Sequence, residues 1–251
     1  MIDSGDRDRI KRIKESIREE MWITLEARGV ALFPKPVFNR IPNFVGSNDS
    51  ARLISTLEVF KNARVVEVGP DRPQAGVRRL ALEHGKILIV PSPRLREGLV
   101  LIDPSKHSTE EFSELVNIRT FMSRGEKIDP WDLPKIDLMV VGSVAVNFKG
   151  ARVGKGGGFS DLEYAILREF NKVSEETPVV TNVHELQIID RDIPMEKHDL
   201  PVDLIVTPER VYKTKRIYRK PEGIYWDLIE KSEEYDKFRD FIERVRRYLR
   251  R

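Results

Sequence analysis

The chain has 251 residues, 40% hydrophobic and 34% charged, and its 44 Lys and Arg against 41 Asp and Glu leave a net charge of +3. It has no cysteine, which excludes a disulfide framework, a thiolate-held zinc or iron–sulfur site and a thiol nucleophile. No run of about 18 apolar residues could cross a membrane, the first dozen residues lack a secretory core, and so balanced a charge is a weak footprint for nucleic acid, so a soluble, cytoplasmic protein is expected.

The first element is an amphipathic helix over 6–28, with Ile10, Ile13, Ile17, Met21 and Leu25 on one stripe. The next segment, 33–44, carries three prolines and three phenylalanines, which bars a regular helix and predicts extended chain with aromatic anchors. A second helix is expected over 48–60, capped by Asn48 or Asp49. Strands are then predicted at 64–68, 86–90, 137–142, 178–183 and 202–207, with helices at 73–84 and 161–172 between them. The strands are apolar without period-2 alternation, as strands covered on both faces are. That pattern predicts an α/β fold: a three-layer sandwich with a mostly parallel sheet flanked by helices. Residues 105–131 read as helix plus loop. A C-terminal amphipathic helix over 232–250 ends in Arg246, Arg247, Arg250 and Arg251, either a solvated end matched to the helix dipole or a nucleic-acid patch. With no repeat or long linker, one domain over 1–251 is expected.

The stretch richest in chemistry is Arg152-Val153-Gly154-Lys155-Gly156-Gly157-Gly158-Phe159-Ser160-Asp161. It follows a buried strand and opens a helix. Four glycines in five positions permit positive φ and close approach of a ligand. Free N–H groups at a helix N-terminus suit phosphate, and Arg152 and Lys155 add positive charge. The alternative is a flexible turn with incidental charges. It is no P-loop, since the Gly-Lys-Ser/Thr ending is absent, and no dinucleotide fingerprint. Asp161 is either the cap of the following helix or a Mg²⁺ ligand beside the phosphate. The four histidines show no metal-ligand spacing, and no Gly-x-Ser-x-Gly elbow exists.

Gly154–Phe159 with Asp161 resembles the nucleotide loop of the 5-formyltetrahydrofolate cyclo-ligases, or methenyltetrahydrofolate synthetases. Gln187, Ile193–Asp199 and Val202–Thr207 resemble that family's downstream signature, and Lys14 with Arg18, four apart on one helix face, its N-terminal Lys-x-x-x-Arg element. Phe33–Pro36, Arg40–Phe44, Val90–Arg96, Val141–Val146 and Asp161–Ala165 are similar to the branch of methenyltetrahydrofolate synthetase domain-containing proteins. The resemblance implies the fold shared with phosphosugar isomerases and coenzyme A transferases, with ATP as cosubstrate, Mg²⁺, and a folate or related pterin as substrate.

Carried over by resemblance, Lys14, Arg18, Arg152, Gly154, Lys155, Gly156, Gly157, Gly158, Phe159 and Ser160 bind the nucleotide. Lys155 and Arg152 are the catalytic candidates, bringing positive charge to the polyphosphate, Asp161 and Asp199 hold Mg²⁺, and Phe159 also borders the pterin. The family pattern has tyrosine where this chain has Ser160. Its pterin-binding acid has Asp71 and Gln74 as the nearest counterparts. Some members of the branch carry an RNA-recognition domain, whose interleaved aromatics are not seen here. Two functions follow: a MgATP-dependent cyclo-ligase, or a non-catalytic nucleotide- or RNA-binding protein on the same fold.

Overall fold

The structure, a computed structural model, describes residues 4–232 and 234–250, so the two ends of the expected domain, Arg251 included, lie outside the described residues. Among the described residues the centre is an eight-stranded sheet. Its strands are β1 (Val65–Val68), β2 (Ile87–Pro91), β3 (Leu99–Ile102), β4 (Glu126–Ile128), β5 (Leu138–Val141), β6 (Val179–Asn182), β7 (Leu204–Val206) and β8 (Val211–Lys213). The spatial order is β8-β7-β6-β5-β1-β2-β3-β4. Pairing is parallel from β7 to β2 and antiparallel at both edges. The longer helices are α1 (Ser4–Ala27), α2 (Ser47–Thr56), α3 (Ala75–Glu83), α4 (Phe159–Glu169) and α5 (Tyr235–Leu249).

Successive strand residues face opposite sides, and that parity builds the three layers. Val66, Val68, Leu88 and Val140 pack with Ile54 of α2 and Val77 and Leu82 of α3. Val65, Ile89, Met139 and Val141 pack with Tyr164 and Leu167 of α4 and Phe238 and Phe241 of α5. The expected mostly parallel sandwich is what forms. α1 lies outside these layers: Ile17, Met21, Trp22 and Leu25 form a third core with Val37, Ile41 and the ribbon 145–146/152–153. Trp22 Nε1 donates to the Arg40 carbonyl at 3.0 Å, and Glu26 accepts from the Val37 N–H at 2.8 Å, fastening the proline-rich segment to α1. Of its phenylalanines only Phe44 is buried; Phe33 and Phe38 are exposed.

Several expectations are corrected. The helix expected over 48–60 breaks at Leu57, whose backbone is extended, into α2 and a turn at Glu58–Lys61. Its cap is Gly46 at φ +84°, not Asn48 or Asp49, which fall inside the first turn. The stretch read as helix plus loop ends in strand β4, and β3 and β8 also went unread. β4 and β8 are edge strands with exposed Glu126, Lys127, Val211 and Lys213, so neither carries the buried apolar run that marks the central strands. At the C-terminus, Arg246 pairs with Glu230 and Glu243 and lies over the Trp226 ring, as a matched helix end does. Among the described residues, no helix is long and apolar enough to cross a membrane.

Candidate active site

The parallel strands deliver their C-terminal ends to one rim. From the neighbours β1 and β5 the chain winds outward in opposite directions, and open α/β sheets bind ligands in the crevice at such a reversal. The glycine loop crosses this rim between the ribbon strand Arg152–Val153 and α4. Gly156 and Gly158 adopt φ of +107° and +65°, conformations that side-chain-bearing residues rarely accept.

α1 supplies two buried cations to the loop, Lys14 (9% exposed) and Arg18 (8%). Arg18 Nε donates to the Gly154 carbonyl at 2.8 Å, and a Cβ on Gly156 would lie 3.5 Å from the guanidinium carbon. Lys14 Nζ lies 2.5 Å from Asp199 Oδ2 and 3.7 Å from Glu196. Asp199 Oδ2 also accepts from the Glu196 N–H, closing the turn that carries it.

Asp161 does not cap a helix. α4 starts two residues before the expected position, with Gly158 as its cap, so Asp161 sits in the first turn. Its Oδ1 accepts from Arg152 Nη2 at 2.6 Å and from the Leu200 N–H at 2.9 Å. The second bond places it beside Asp199. Burial pushes the Asp161 carboxyl up, but Arg152, the Leu200 N–H, Lys14 and His198 outweigh that and hold it below the usual carboxylate range. Among the described residues Oδ2 of Asp161 accepts no hydrogen bond, and no group of three or more acidic, His or Cys side chains could hold a metal. The donor set is therefore two neighbouring carboxylates, which suits an ion that keeps waters and phosphate oxygens rather than a full protein cage.

Of the two residues expected to act on phosphate, only Lys155 stands at an opening. Its Nζ reaches Asp71 Oδ1 at 2.8 Å. Arg152 is turned inward: its side chain is 3% exposed and donates to the Leu200 and Gly142 carbonyls and to Asp161. The expected stand-ins for a pterin acid are also engaged. Asp71 holds Lys155, and Gln74 is fully buried on Asn182.

The loop separates two recesses. The smaller, about 190 Å³, lies among Gly156–Gly158, His198, Tyr225, Leu228 and Phe238. The larger, about 570 Å³, has Lys155, Phe159, Ser160 and Glu163 on one side and Phe33, Ile41, Ser92 and Asn117 on others. Beneath it lies a pair that sequence reasoning missed, Glu67 of β1 and Glu163 of α4, fully and 96% buried. Burial first, then the Glu163 charge and hydrogen bond, push Glu67 well up, with Arg78 opposing. Burial pushes Glu163 up to about 8 against Glu67 and Arg152. A lone glutamate inside the β-branched run 64–68 was the available signal. Arg78, also unforeseen, is 2% exposed and clamps the Gly69, Asp71 and Val116 carbonyls.

The profile of the 5-formyltetrahydrofolate cyclo-ligase family matches residues 9–208, from the α1 cations through both signatures to the end of β7. The chain belongs to that family. It is 43% identical over 231 residues to a methenyltetrahydrofolate synthase domain-containing protein of Danio rerio, covering 88% of this chain and 58% of that protein. It is 46% identical over 220 residues to the human protein of the same description, covering 85% and 56%. The chain thus spans less than three fifths of the length of these two relatives. An NMR structure of Aquifex aeolicus 5,10-methenyltetrahydrofolate synthetase aligns over 82% of this chain and 95% of that one, with TM-score 0.51 and 19% identity, a likeness of fold. For this cyclo-ligase family member, the region after residue 208 is outside the profile, yet Tyr225, Leu228 and Phe238 wall the smaller recess.

Proposed function

We propose that the protein is a MgATP-dependent cyclo-ligase that converts 5-formyltetrahydrofolate, or a related formyl pterin, to the 5,10-methenyl form. The observation that carries this reading is the convergence of Lys14, Arg18, Asp161 and Asp199 on one glycine loop from three separate stretches of chain. In the reaction the formyl oxygen attacks the γ-phosphorus of ATP and ADP leaves. N10 then closes on the activated carbon, its proton is released, and phosphate departs. Such chemistry is driven by positioning and charge neutralisation, the two things this site offers.

The loop N–H groups and the α4 N-terminus receive phosphate oxygens, and Lys14 and Arg18 neutralise them. Asp161 and Asp199 would hold the Mg²⁺ that arrives on the triphosphate; the ion supplies further neutralisation of charge on the transferring group. Arg152 acts through Asp161 and is a positioning residue. Lys155, at the junction of loop and larger cleft, is the cation between nucleotide and formyl group. The test is to mix protein, MgATP and 5-formyltetrahydrofolate and follow the methenyl chromophore. Its appearance, dependent on ATP, is the expected result. Nucleotide binding without any chromophore would leave a binding protein on this fold and remove the cyclo-ligase reading.

A further inference from the structure

Most buried polar atoms in a folded protein find a partner, and an orphaned buried acceptor is destabilising. Three such atoms meet beneath the larger cleft: both carboxyl oxygens of Glu67 and Oε1 of Glu163. The two side chains stand close enough to hydrogen-bond one another when one carries a proton. The remaining Glu163 oxygen takes no hydrogen bond from any described residue, and Glu163 is the member of the pair that borders the cleft. Parity explains the placement. Glu67 faces the α4 side of the sheet like its neighbour Val65, between Ile89 and Met139 of the adjoining strands. Glu163 descends onto it from the second turn of α4.

Carboxylate oxygens accept and do not donate. The three orphaned oxygens are sealed from the cleft and face one another, so the position open to a donor is the second Glu163 oxygen, the one of the four that a ligand in the cleft can reach. We propose that Glu163, backed by Glu67, recognises the donor edge of a planar ring, adjacent ring N–H and exocyclic amino groups such as a 2-amino-4-oxopyrimidine presents. This deepens the cyclo-ligase reading and rests on it for the choice of a pterin over a purine with the same edge. The exposed Arg40, Arg72 and Arg94 line the same cleft and attract anions. Charge thus orients the substrate: ring inward on Glu163, carboxylate-bearing tail outward on the arginines. Glu163 is the contacting residue and Glu67 a positioning residue.

The test is equilibrium binding of 5-formyltetrahydrofolate, its 2-desamino analogue and guanosine to the wild type, Glu163→Gln, Glu163→Met and Glu67→Gln, with steady-state kinetics alongside. The wild type is expected to prefer the amino compound over the desamino analogue by roughly tenfold to a hundredfold. Glu163→Gln reduces that preference, Glu163→Met abolishes it, and Glu67→Gln narrows it, while desamino affinity and the KM for ATP hold. The KM for the formyl substrate rises with kcat little changed, a split that mere loosening of the fold does not produce. Wild-type preference retained in both Glu163 variants overturns the proposal and leaves the cyclo-ligase reading standing. Binding of guanosine that depends on Glu163, with no affinity for the folate, does the reverse. A wild type that discriminates between none of the three overturns the proposal as well.

Discussion

Asp161 accepts from Arg152 and from the Leu200 N–H, so replacing it disturbs the resting protein as well as any bound ion. If it were a cap, asparagine would serve nearly as well. In the structure, Asp161→Asn leaves Arg152 buried without its carboxylate, and breaking a buried pair costs about 3 kcal/mol. Melting of the unliganded variant should fall by several degrees, at ~2–4 °C per kcal/mol for a chain of this size. Turnover should fall by roughly tenfold to a thousandfold, with a raised Mg²⁺ requirement if the carboxylate holds the ion. Asp199→Asn gives a cleaner reading of the metal, because its partner Lys14 keeps a second carboxylate, Glu196, at 3.7 Å. Normal Mg²⁺ dependence in both variants, by titration of initial rates, would take the ion away from these two aspartates.

Most elements that bury both faces, or one helical stripe, declared themselves in the sequence: α1, α5 and the parallel strands are where their apolar runs placed them, although the buried run of β3 went unread. β4 and β8 did not, because an edge strand keeps polar residues and its identity comes from its neighbour. The loop was legible because glycines and charges cluster locally, whereas the Glu67–Glu163 pair joins residues 96 positions apart and only the register of β1 under α4 brings them together. α5 is an element whose shape was legible and whose place was not. Phe238 packs edge-on against Phe159 at 6.0 Å, joining the C-terminal helix to the first turn after the loop. Phe238→Ala should cost about 3–4 kcal/mol by chemical denaturation. Because the same ring walls the smaller recess, nucleotide affinity should weaken several-fold in titrations at a temperature where the variant remains folded. Unchanged affinity would separate α5 from the nucleotide side of the site.

At the scale of the whole molecule, the buried acids make stability depend on pH in a direction opposite to that of an ordinary ion-paired carboxylate. Glu67 faces Glu163 from α4 and Arg78 from α3, and burial keeps it protonated well above its ordinary 4.5. Unfolding exposes it to water, where it loses that proton near the ordinary value. Between there and the folded pKa the native state binds more protons than the unfolded one, so this contribution is full below about pH 4.5 and is lost as pH rises. Asp161 runs the other way: held low, it adds stability above the ordinary aspartate range and loses it in acid. Removing the Glu67 charge without changing its shape isolates the first effect. Glu67→Gln should match the wild type near pH 5 and exceed it by about 1–3 kcal/mol near pH 8, since its amide can donate to Glu163 where the carboxylate could not. Thermal melts across that range check it: a gain that grows with pH is expected, and a gap that is constant or of the opposite sign would show that the pair is already satisfied. The same variant is expected to bind the formyl pterin less tightly, so the two acids would be kept for recognition at the expense of stability.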